Sequence, residues 1–239
     1  MEKLLAQLKD KLQAAAGGNL KALVLFGSAA RGEYHERHSD LNVLCVLGRA
    51  GAEDLEALHE AAAWWEKKKF PAPRIFTLDE LRASADIFAI ELLDMKAHHK
   101  MIYGEDFFEG LSVPMQLHRL QVERELRTNW LKLRQGVLLA PQKDPVFMGL
   151  MDASVSTFIT LFRHALIVLG ETAPAGRREV VADIARLVGA RPEAFLTILD
   201  VREGKRQARE VKARETLREY LDLVERATDE VDRRLAAGA

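Results

Sequence analysis

The chain has 239 residues, of which 48% are hydrophobic and 30% are charged. This length suffices for one large domain or two small ones, each with its own core. The charges nearly cancel, which gives a net charge of −1. Such a balance excludes a global electrostatic attraction to nucleic acid or to an anionic membrane. Any anion-binding site must therefore be local.

The N-terminal segment is predicted to form an amphipathic helix, because leucines recur at helical spacing until Gly17 and Gly18 end the pattern. Charged residues interrupt the segment throughout, so we expect neither a signal peptide nor a membrane anchor there, and no membrane partner. The single Cys45 lies in an apolar run. A lone buried thiol excludes an internal disulfide and fits a reduced, cytoplasmic location.

Short apolar runs alternate with helical patterns over the first half of the chain. Strands are predicted at 22–26, 41–47, 73–77 and 88–96. Helices are predicted between them, including one that starts at a capping box formed by Thr77 and Glu80. Alternation of strands and helices through residue 111 is typical of an α/β domain.

From Ser112 onward the 3.6-residue period replaces every strand signal. Glycines and prolines divide this half into predicted helices at 113–139, 146–169, 177–188, 191–202 and 205–236. We therefore predict an α/β domain over residues 1–111 and an all-α helical bundle over residues 112–239.

A Gly-Ser turn follows the first strand, and an acid opens the second. Gly27 lets the backbone approach a ligand, and the loop N–H groups with the Ser28 hydroxyl are groups that hold phosphate oxygens. Arg31 would either bind a phosphate bidentately or fix the loop through a salt bridge. Asp40 and Asn42, two residues apart, place their side chains on one face about 7 Å apart along the strand.

The sequence from Gly27 to Gly32, followed by Ser39-Asp40-Leu41-Asn42, resembles the polymerase-beta-type nucleotidyltransferase superfamily. The resemblance implies a mixed sheet with flanking helices and then a helical bundle, a layout similar to kanamycin-type antibiotic nucleotidyltransferases and to bacterial nucleotidyltransferase-domain proteins. It also implies that Gly27 and Ser28 bind the triphosphate and that Asp40 binds Mg²⁺. Related layouts are commonly dimers, so a homodimer is expected.

The sequence departs from the family pattern at two places. Asn42 stands where the family has its second metal-binding acid, and an amide offers the metal an oxygen without a charge. The strand expected to carry a third acid contains Arg74 and no carboxylate. We expect Glu91 to replace that acid, as a metal ligand or catalytic base, because alternation along the predicted strand 88–96 would expose it; Asp94 is the weaker alternative.

Two functions follow from this pattern. The first is Mg²⁺-dependent transfer of a nucleoside monophosphate from an NTP, such as ATP, to a hydroxyl on a small molecule or macromolecule, with release of pyrophosphate. The second is a degenerate module that keeps nucleotide binding, or a regulatory role, and has lost transfer. Asn42 and Arg74 favour the second, whereas the intact Gly-Ser loop and Asp40 favour the first.

Two further polar clusters have simple explanations. His35 and His38 are expected to lie in an exposed loop rather than to bind a metal. Basic residues recur at helical spacing over 202–212. We expect them to form a solvated helix face with local ion pairs; contact with a nucleotide or an RNA backbone is the alternative.

Overall fold

The computed structural model describes residues 1–32 and 40–236 of the chain. The chain divides into two compact units, Met1–Leu117 and His118–Ala239. The first contains a sheet with flanking helices, and the second is helical. This confirms the predicted fold class.

The sheet of the first unit is mixed and has four strands. They are β1 Leu20–Phe26, β2 Asn42–Leu47, β3 Arg74–Thr77 and β4 His99–Tyr103. Their order across the sheet is β3-β2-β1-β4. β1 pairs antiparallel with both β2 and β4, whereas β3 runs parallel to β2. The end of β1 therefore meets the start of β2, so the Gly-Ser loop and the Asp-x-Asn segment lie at the same edge.

Helices cover both faces of this sheet. They are α1 Glu2–Ala16, α2 Ala52–Ala57, α3 His59–Glu66, α4 Leu78–Ala83 and α5 Ala89–Ala97. On one face, leucines of α1 and the fully buried Trp65 of α3 pack against β1 and β2. On the other face, α4 and α5 contribute Leu81, Leu92 and Met95. The predicted capping box of α4 is confirmed, because the Thr77 side chain accepts a hydrogen bond from the Glu80 backbone N–H.

The prediction of a strand at 88–96 is wrong, because this segment forms the helix α5. Its buried residues are Ala89, Ile90, Leu92 and Met95. Ala89, Leu92 and Met95 follow at three-residue spacing along one side of the helix, with Ile90 beside Ala89. A short apolar run does not distinguish this arrangement from a buried strand. The fourth strand is β4 instead. It escaped prediction because His99 and Lys100 begin it with polar residues.

The second unit consists of helices. α6 Met115–Leu139, which begins just before this unit, is followed by α7 Asp144–Val168, α8 Arg177–Val188, α9 Glu193–Arg202 and α10 Ala213–Ala236. Among the residues described, α7 is the one helix long and apolar enough to cross a membrane by length and composition. Its buried side chains pack within the helical unit, where α8, α9 and α10 contact it. Core packing therefore accounts for its apolar character.

The last helix starts later than predicted, which removes the expected basic helix face. α9 ends at Arg202 and α10 begins at Ala213, with turns and a short 3-10 segment between them. Gly204 adopts a φ of 71°, which interrupts the helix. Arg202 itself donates to Asp152 and to the Ser156 hydroxyl. The predicted continuous stripe is therefore not a helix face.

Candidate functional site

The Gly-Ser loop forms a tight turn directly after β1. A 3-10 turn spans Gly27–Ala29, and the Gly27 carbonyl accepts hydrogen bonds from the N–H groups of Ala30 and Arg31. Ser28 is half-buried, and its hydroxyl has no protein partner among the residues described. The turn thus holds a free hydroxyl at the end of a buried strand, where it is available to a ligand.

Gly27 is required at its position by both conformation and space. Its φ is 78°, and a Cβ added there would lie 3.1 Å from Nδ2 of Asn42. The close approach arises because Phe26 and Asn42 are paired across β1 and β2. The Gly27 backbone and the Asn42 side chain are therefore close neighbours where β1 ends and β2 begins.

We expect Gly27→Ala to lower the free energy of unfolding by about 1–2 kcal/mol, because a side chain is strained at positive φ. The contact with Asn42 adds to this cost. Urea denaturation would measure it, with Gly18→Ala as the matched control, since a Cβ at Gly18 would meet nothing within 4 Å. Equal stability of the two variants would contradict the strained-loop geometry.

Asp40 lies just before β2 and is exposed. It has no ion-pair partner among the described residues. Asn42, the first residue of β2, is half-buried. Ser39, which completes the motif, lies outside the described residues, as do His35 and His38. The structure therefore brings Gly27, Ser28, Asp40 and Asn42 to one edge of the sheet.

Arg31 is held by an ion pair. Its Nη1 lies 3.3 Å from Oδ2 of Asp94, and only 9% and 18% of the two side chains are exposed. This pair joins the segment after the Gly-Ser turn to helix α5. Of the two roles expected for Arg31, the structure therefore contains the salt bridge that fixes the loop.

Glu91 lies on helix α5 rather than on a strand. Alternation of faces between successive residues is a property of strands, so the reasoning that selected Glu91 does not hold, although Ile90 and Leu92 are buried as it expected. Glu91 is nevertheless half-buried and precedes Asp94 by three residues, so the two acids share one side of the helix. Because Asp94 contacts Arg31, that side of α5 faces the segment after the Gly-Ser turn.

Arg74 is the first residue of β3, the strand that the resemblance led us to expect as the carrier of a third acid. It pairs with Leu44 in the parallel register of β3 and β2. Its guanidinium carbon lies 5.5 Å from the centroid of the Phe26 ring. β3 carries no carboxylate, so the charged side chain that this strand contributes is the guanidinium of Arg74.

The residues present fit one divalent ion better than two. No cluster of three or more His, Cys, Asp or Glu suited to a metal occurs among the described residues. The Asp40 carboxylate and the Asn42 side-chain oxygen fit a single Mg²⁺, which is usually held by one or two carboxylates together with substrate phosphates. A second ion would need further carboxylates, and Arg74 supplies positive charge instead.

His99 was not predicted as part of this edge, because its strand was not recognised. It pairs with Phe26 across β4 and β1. Its Nδ1 lies 2.8 Å from the Met95 carbonyl oxygen, and its Nε2 lies 2.8 Å from Oδ2 of Asp106. The hydrogen bond from the Phe108 N–H, together with His99, lowers the pKa of Asp106. Both ring nitrogens of His99 therefore have hydrogen-bond partners within the first unit, so we do not assign His99 as a metal ligand.

Comparison with known proteins supports the resemblance read from the motif. Residues 1–92 match the family model described as nucleotidyltransferase domain. No curated protein sequence matches the chain at a significant level. The matched region contains the Gly-Ser loop, Asp40, Asn42 and α5 as far as Leu92. The chain therefore contains a nucleotidyltransferase-type domain, as the motif predicted.

A solved structure shares the fold over most of the chain. The crystal structure of a spectinomycin adenyltransferase from Enterococcus faecialis, with ATP and spectinomycin, matches with a TM-score of 0.59 at 16% identity, covering 94% of this chain and 98% of that one. A toxin-antitoxin structure with AMP-PNP covers 56% of this chain and 98% of its own, with 17% identity. Its TM-score of 0.32 is too low for a structural argument. The adenyltransferase match shows a shared fold.

Proposed function

We propose that the nucleotidyltransferase domain of this chain transfers a nucleoside monophosphate from an NTP to a hydroxyl and releases pyrophosphate. The observation that carries this proposal is the close approach of the Gly27 turn to the Asn42 side chain, with Asp40 two residues before Asn42 at the same end of β2. In the reaction, the acceptor hydroxyl oxygen forms a bond to the α-phosphorus. The bond between the α-phosphorus and the oxygen that bridges the α- and β-phosphates breaks. The hydroxyl proton passes to a base, and pyrophosphate leaves.

The Gly-Ser turn is proposed as the triphosphate-binding element. The Ser28 hydroxyl and the backbone N–H groups of the turn are the donors that would hold phosphate oxygens. Arg31 is proposed to position the Gly-Ser turn for the nucleotide, because its ion pair with Asp94 fixes the segment that follows the turn. A guanidinium already engaged by a carboxylate has fewer donors left for a phosphate.

Mg²⁺ is the proposed metal, with the Asp40 carboxylate and the Asn42 side-chain oxygen as its protein ligands. When bound, such an ion neutralises phosphate charge and helps to orient the nucleotide. The exposure of Asp40 leaves its carboxylate accessible for this role. The neutral amide of Asn42 contributes a ligand oxygen without charge, so the protein supplies less negative charge than two acids would.

Glu91 is proposed as the base that accepts the hydroxyl proton. The position of Glu91 supports this role. Glu91 shares one side of α5 with Asp94, and Asp94 forms an ion pair with Arg31, which follows the Gly-Ser turn. A general base must lie close to the proton it removes, so this role requires the acceptor hydroxyl to bind beside this side of α5. The role no longer depends on a strand at 88–96.

ATP is the proposed nucleotide, and a hydroxylated small molecule is the acceptor class that the fold match favours. The structural relative is an adenyltransferase solved with ATP and spectinomycin. At 16% identity this is an analogy between folds, which leaves a macromolecular hydroxyl open as acceptor. A cytoplasmic location, to which the buried and unpaired Cys45 lends support, and a homodimer remain predictions.

A catalytically degenerate, nucleotide-binding or regulatory module is the second candidate function. The specific observations in its favour are the amide at Asn42 and a strand β3 that carries Arg74 and no carboxylate. Such a protein would bind NTP without turning it over. It would share the fold and the Gly-Ser turn with the enzyme, so only a measurement of transfer separates the two.

Label transfer tests the proposal. The full chain would be incubated with each of the four NTPs labelled at the α-phosphate, Mg²⁺, and a cell extract containing small molecules and RNA. We expect one NTP to yield an α-labelled product, while the same NTP labelled at the γ-phosphate labels none. NTP binding without any labelled product would contradict transfer and favour the degenerate module.

A further inference from the structure

Arg74 reaches across the sheet toward the Gly-Ser loop. It lies on β3, whereas Phe26, which its guanidinium contacts, lies on β1. Because β2 separates these strands, the Arg74 side chain passes over β2. Phe26 pairs with Asn42 and Leu44 pairs with Arg74, so all of these side chains lie on one face. The guanidinium therefore lies over the residues that begin β2.

No described residue forms an ion pair with Arg74. Its side chain is exposed and has no carboxylate partner among the residues described. Many other arginines of the chain have such partners, for example Arg31 with Asp94 and Arg178 with Asp200. An unpaired guanidinium that rests on an aromatic ring keeps its donors available for an incoming anion.

We propose that Arg74 binds the phosphate chain of the nucleotide and supplies the positive charge that a second divalent ion would otherwise supply. This inference rests on the proposed nucleotide site and names one further ligand residue within it. The donors of a guanidinium match two oxygens of a phosphate, so the contact is bidentate and charge-assisted. The neutral Asn42 is consistent with it, since a second acid there would attract the guanidinium into an internal ion pair.

The inference predicts that nucleotide binding survives metal removal. A site that depends on two metal ions loses nearly all triphosphate affinity in a chelator, because its carboxylates then repel the phosphates. Here the side chain at position 42 is neutral, and Arg74 adds a positive charge. A hydrogen bond between charged groups changes binding by about tenfold to a hundredfold, so Arg74 should sustain measurable binding of ATP when the metal is removed.

Titration calorimetry of the full chain with ATP in EDTA tests the inference. We expect wild type to bind ATP without divalent cations and Arg74→Gln to weaken this binding by at least about tenfold. Arg82→Gln is the matched control, because Arg82 belongs to the same unit and pairs with the exposed Asp79. Inorganic tripolyphosphate should show the same loss in Arg74→Gln, whereas binding of adenosine should not change.

A further variant separates charge from geometry. Arg74→Lys keeps the positive charge but loses the planar fork that contacts a phosphate bidentately. We expect it to recover only part of the metal-free affinity for ATP. Thermal unfolding of each variant would verify that it folds, which an exposed side chain should permit.

Two outcomes would overturn the inference. One is the absence of ATP binding by wild type in EDTA, and the other is equal binding by wild type and Arg74→Gln. Neither decides whether the domain transfers a nucleotide, because label transfer with Mg²⁺ measures that separately. Failure of transfer together with metal-free binding that depends on Arg74 would leave the inference standing and would favour the degenerate module.

Discussion

Asp40→Ala is expected to reduce nucleotidyl transfer by more than about 100-fold, since residues that merely orient a metal ligand already contribute 10- to 100-fold. Asp40 is the one carboxylate of the Asp-x-Asn segment, and we propose it as a metal ligand. It precedes β2 by two residues and is exposed. Removal of this charge leaves Asn42 as the remaining protein ligand of the proposed Mg²⁺. Asp40→Ala should therefore both lower the rate of transfer and raise the Mg²⁺ concentration that the reaction needs.

The matched control for this prediction is Asp10→Ala. Asp10 lies on α1, which covers the opposite face of the sheet, and 69% of its side chain is exposed. Rates of label transfer over a Mg²⁺ titration would compare the variants with wild type. Stability of Asp40→Ala should stay within about 0.5 kcal/mol of wild type, as for other surface substitutions. Unchanged transfer in Asp40→Ala would remove Asp40 from the mechanism.

The helical unit contains a buried histidine pair that should make its stability depend on pH. Nε2 of His118 on α6 lies 2.9 Å from Nδ1 of His164 on α7, and both rings are buried. Nδ1 of His118 has no hydrogen-bond partner among the described residues. A charged His118 would therefore bury an unsatisfied N–H. Burial, the His164 ring and the charge of Arg119 lower its pKa from 6.5 to about 4.

The direction of the pH effect follows from this lowered pKa. Between the folded value of about 4 and the unfolded value of 6.5, the unfolded chain binds a proton that the folded chain does not. The free energy of unfolding should therefore fall as the pH decreases through this range, by about 3 kcal/mol in total. Above the unfolded pKa, His118 contributes no pH dependence.

Urea denaturation at a series of pH values would measure this effect. His118→Gln keeps a polar side chain in the site but does not titrate. Its stability should therefore fall less between neutral pH and about pH 4, by up to about 3 kcal/mol. The exposed His59 provides the control variant His59→Gln, which should keep the wild-type slope. Identical slopes for wild type and His118→Gln would show that the buried pair is not the proton-linked group.

Local signals predicted the elements whose boundaries are set by their own residues. The apolar runs at 22–26 and 41–47 became β1 and β2, because each is bounded by turn residues and buried on both faces. The helix α8 was predicted with its observed bounds, since Gly189 at a φ of 65° ends it. At such places sequence and structure agree because few distant contacts are needed.

Local signals failed where tertiary packing decided between alternatives. Residues 88–96 have enough apolar character for either a strand or a helix, and packing of Leu92 and Met95 against the sheet selects the helix. β4 begins with polar residues and becomes a strand only because β1 offers it an open edge. Neither outcome is visible in a short window of sequence.

The candidate site shows the same division. The sequence could place the Gly27 loop beside Asn42, because the end of a strand lies next to the start of an antiparallel neighbour that follows it along the chain. The bond between Arg31 and Asp94 joins residues far apart in the chain and depends on the position of α5. The contact of Arg74 with Phe26 depends in turn on the order of three strands. Contacts of this kind can be recognised only when the fold is known.

Production of pyrophosphate from ATP is the most direct measurement of the central claim that this sheet edge transfers nucleoside monophosphates. Wild type and Asp40→Ala would be incubated with Mg²⁺, ATP and a fraction of hydroxylated small molecules, and pyrophosphate and adenylated product would be quantified together. We expect equal amounts of the two products from wild type and almost none from Asp40→Ala. Release of inorganic phosphate and ADP, or equal pyrophosphate production by both proteins, would contradict it.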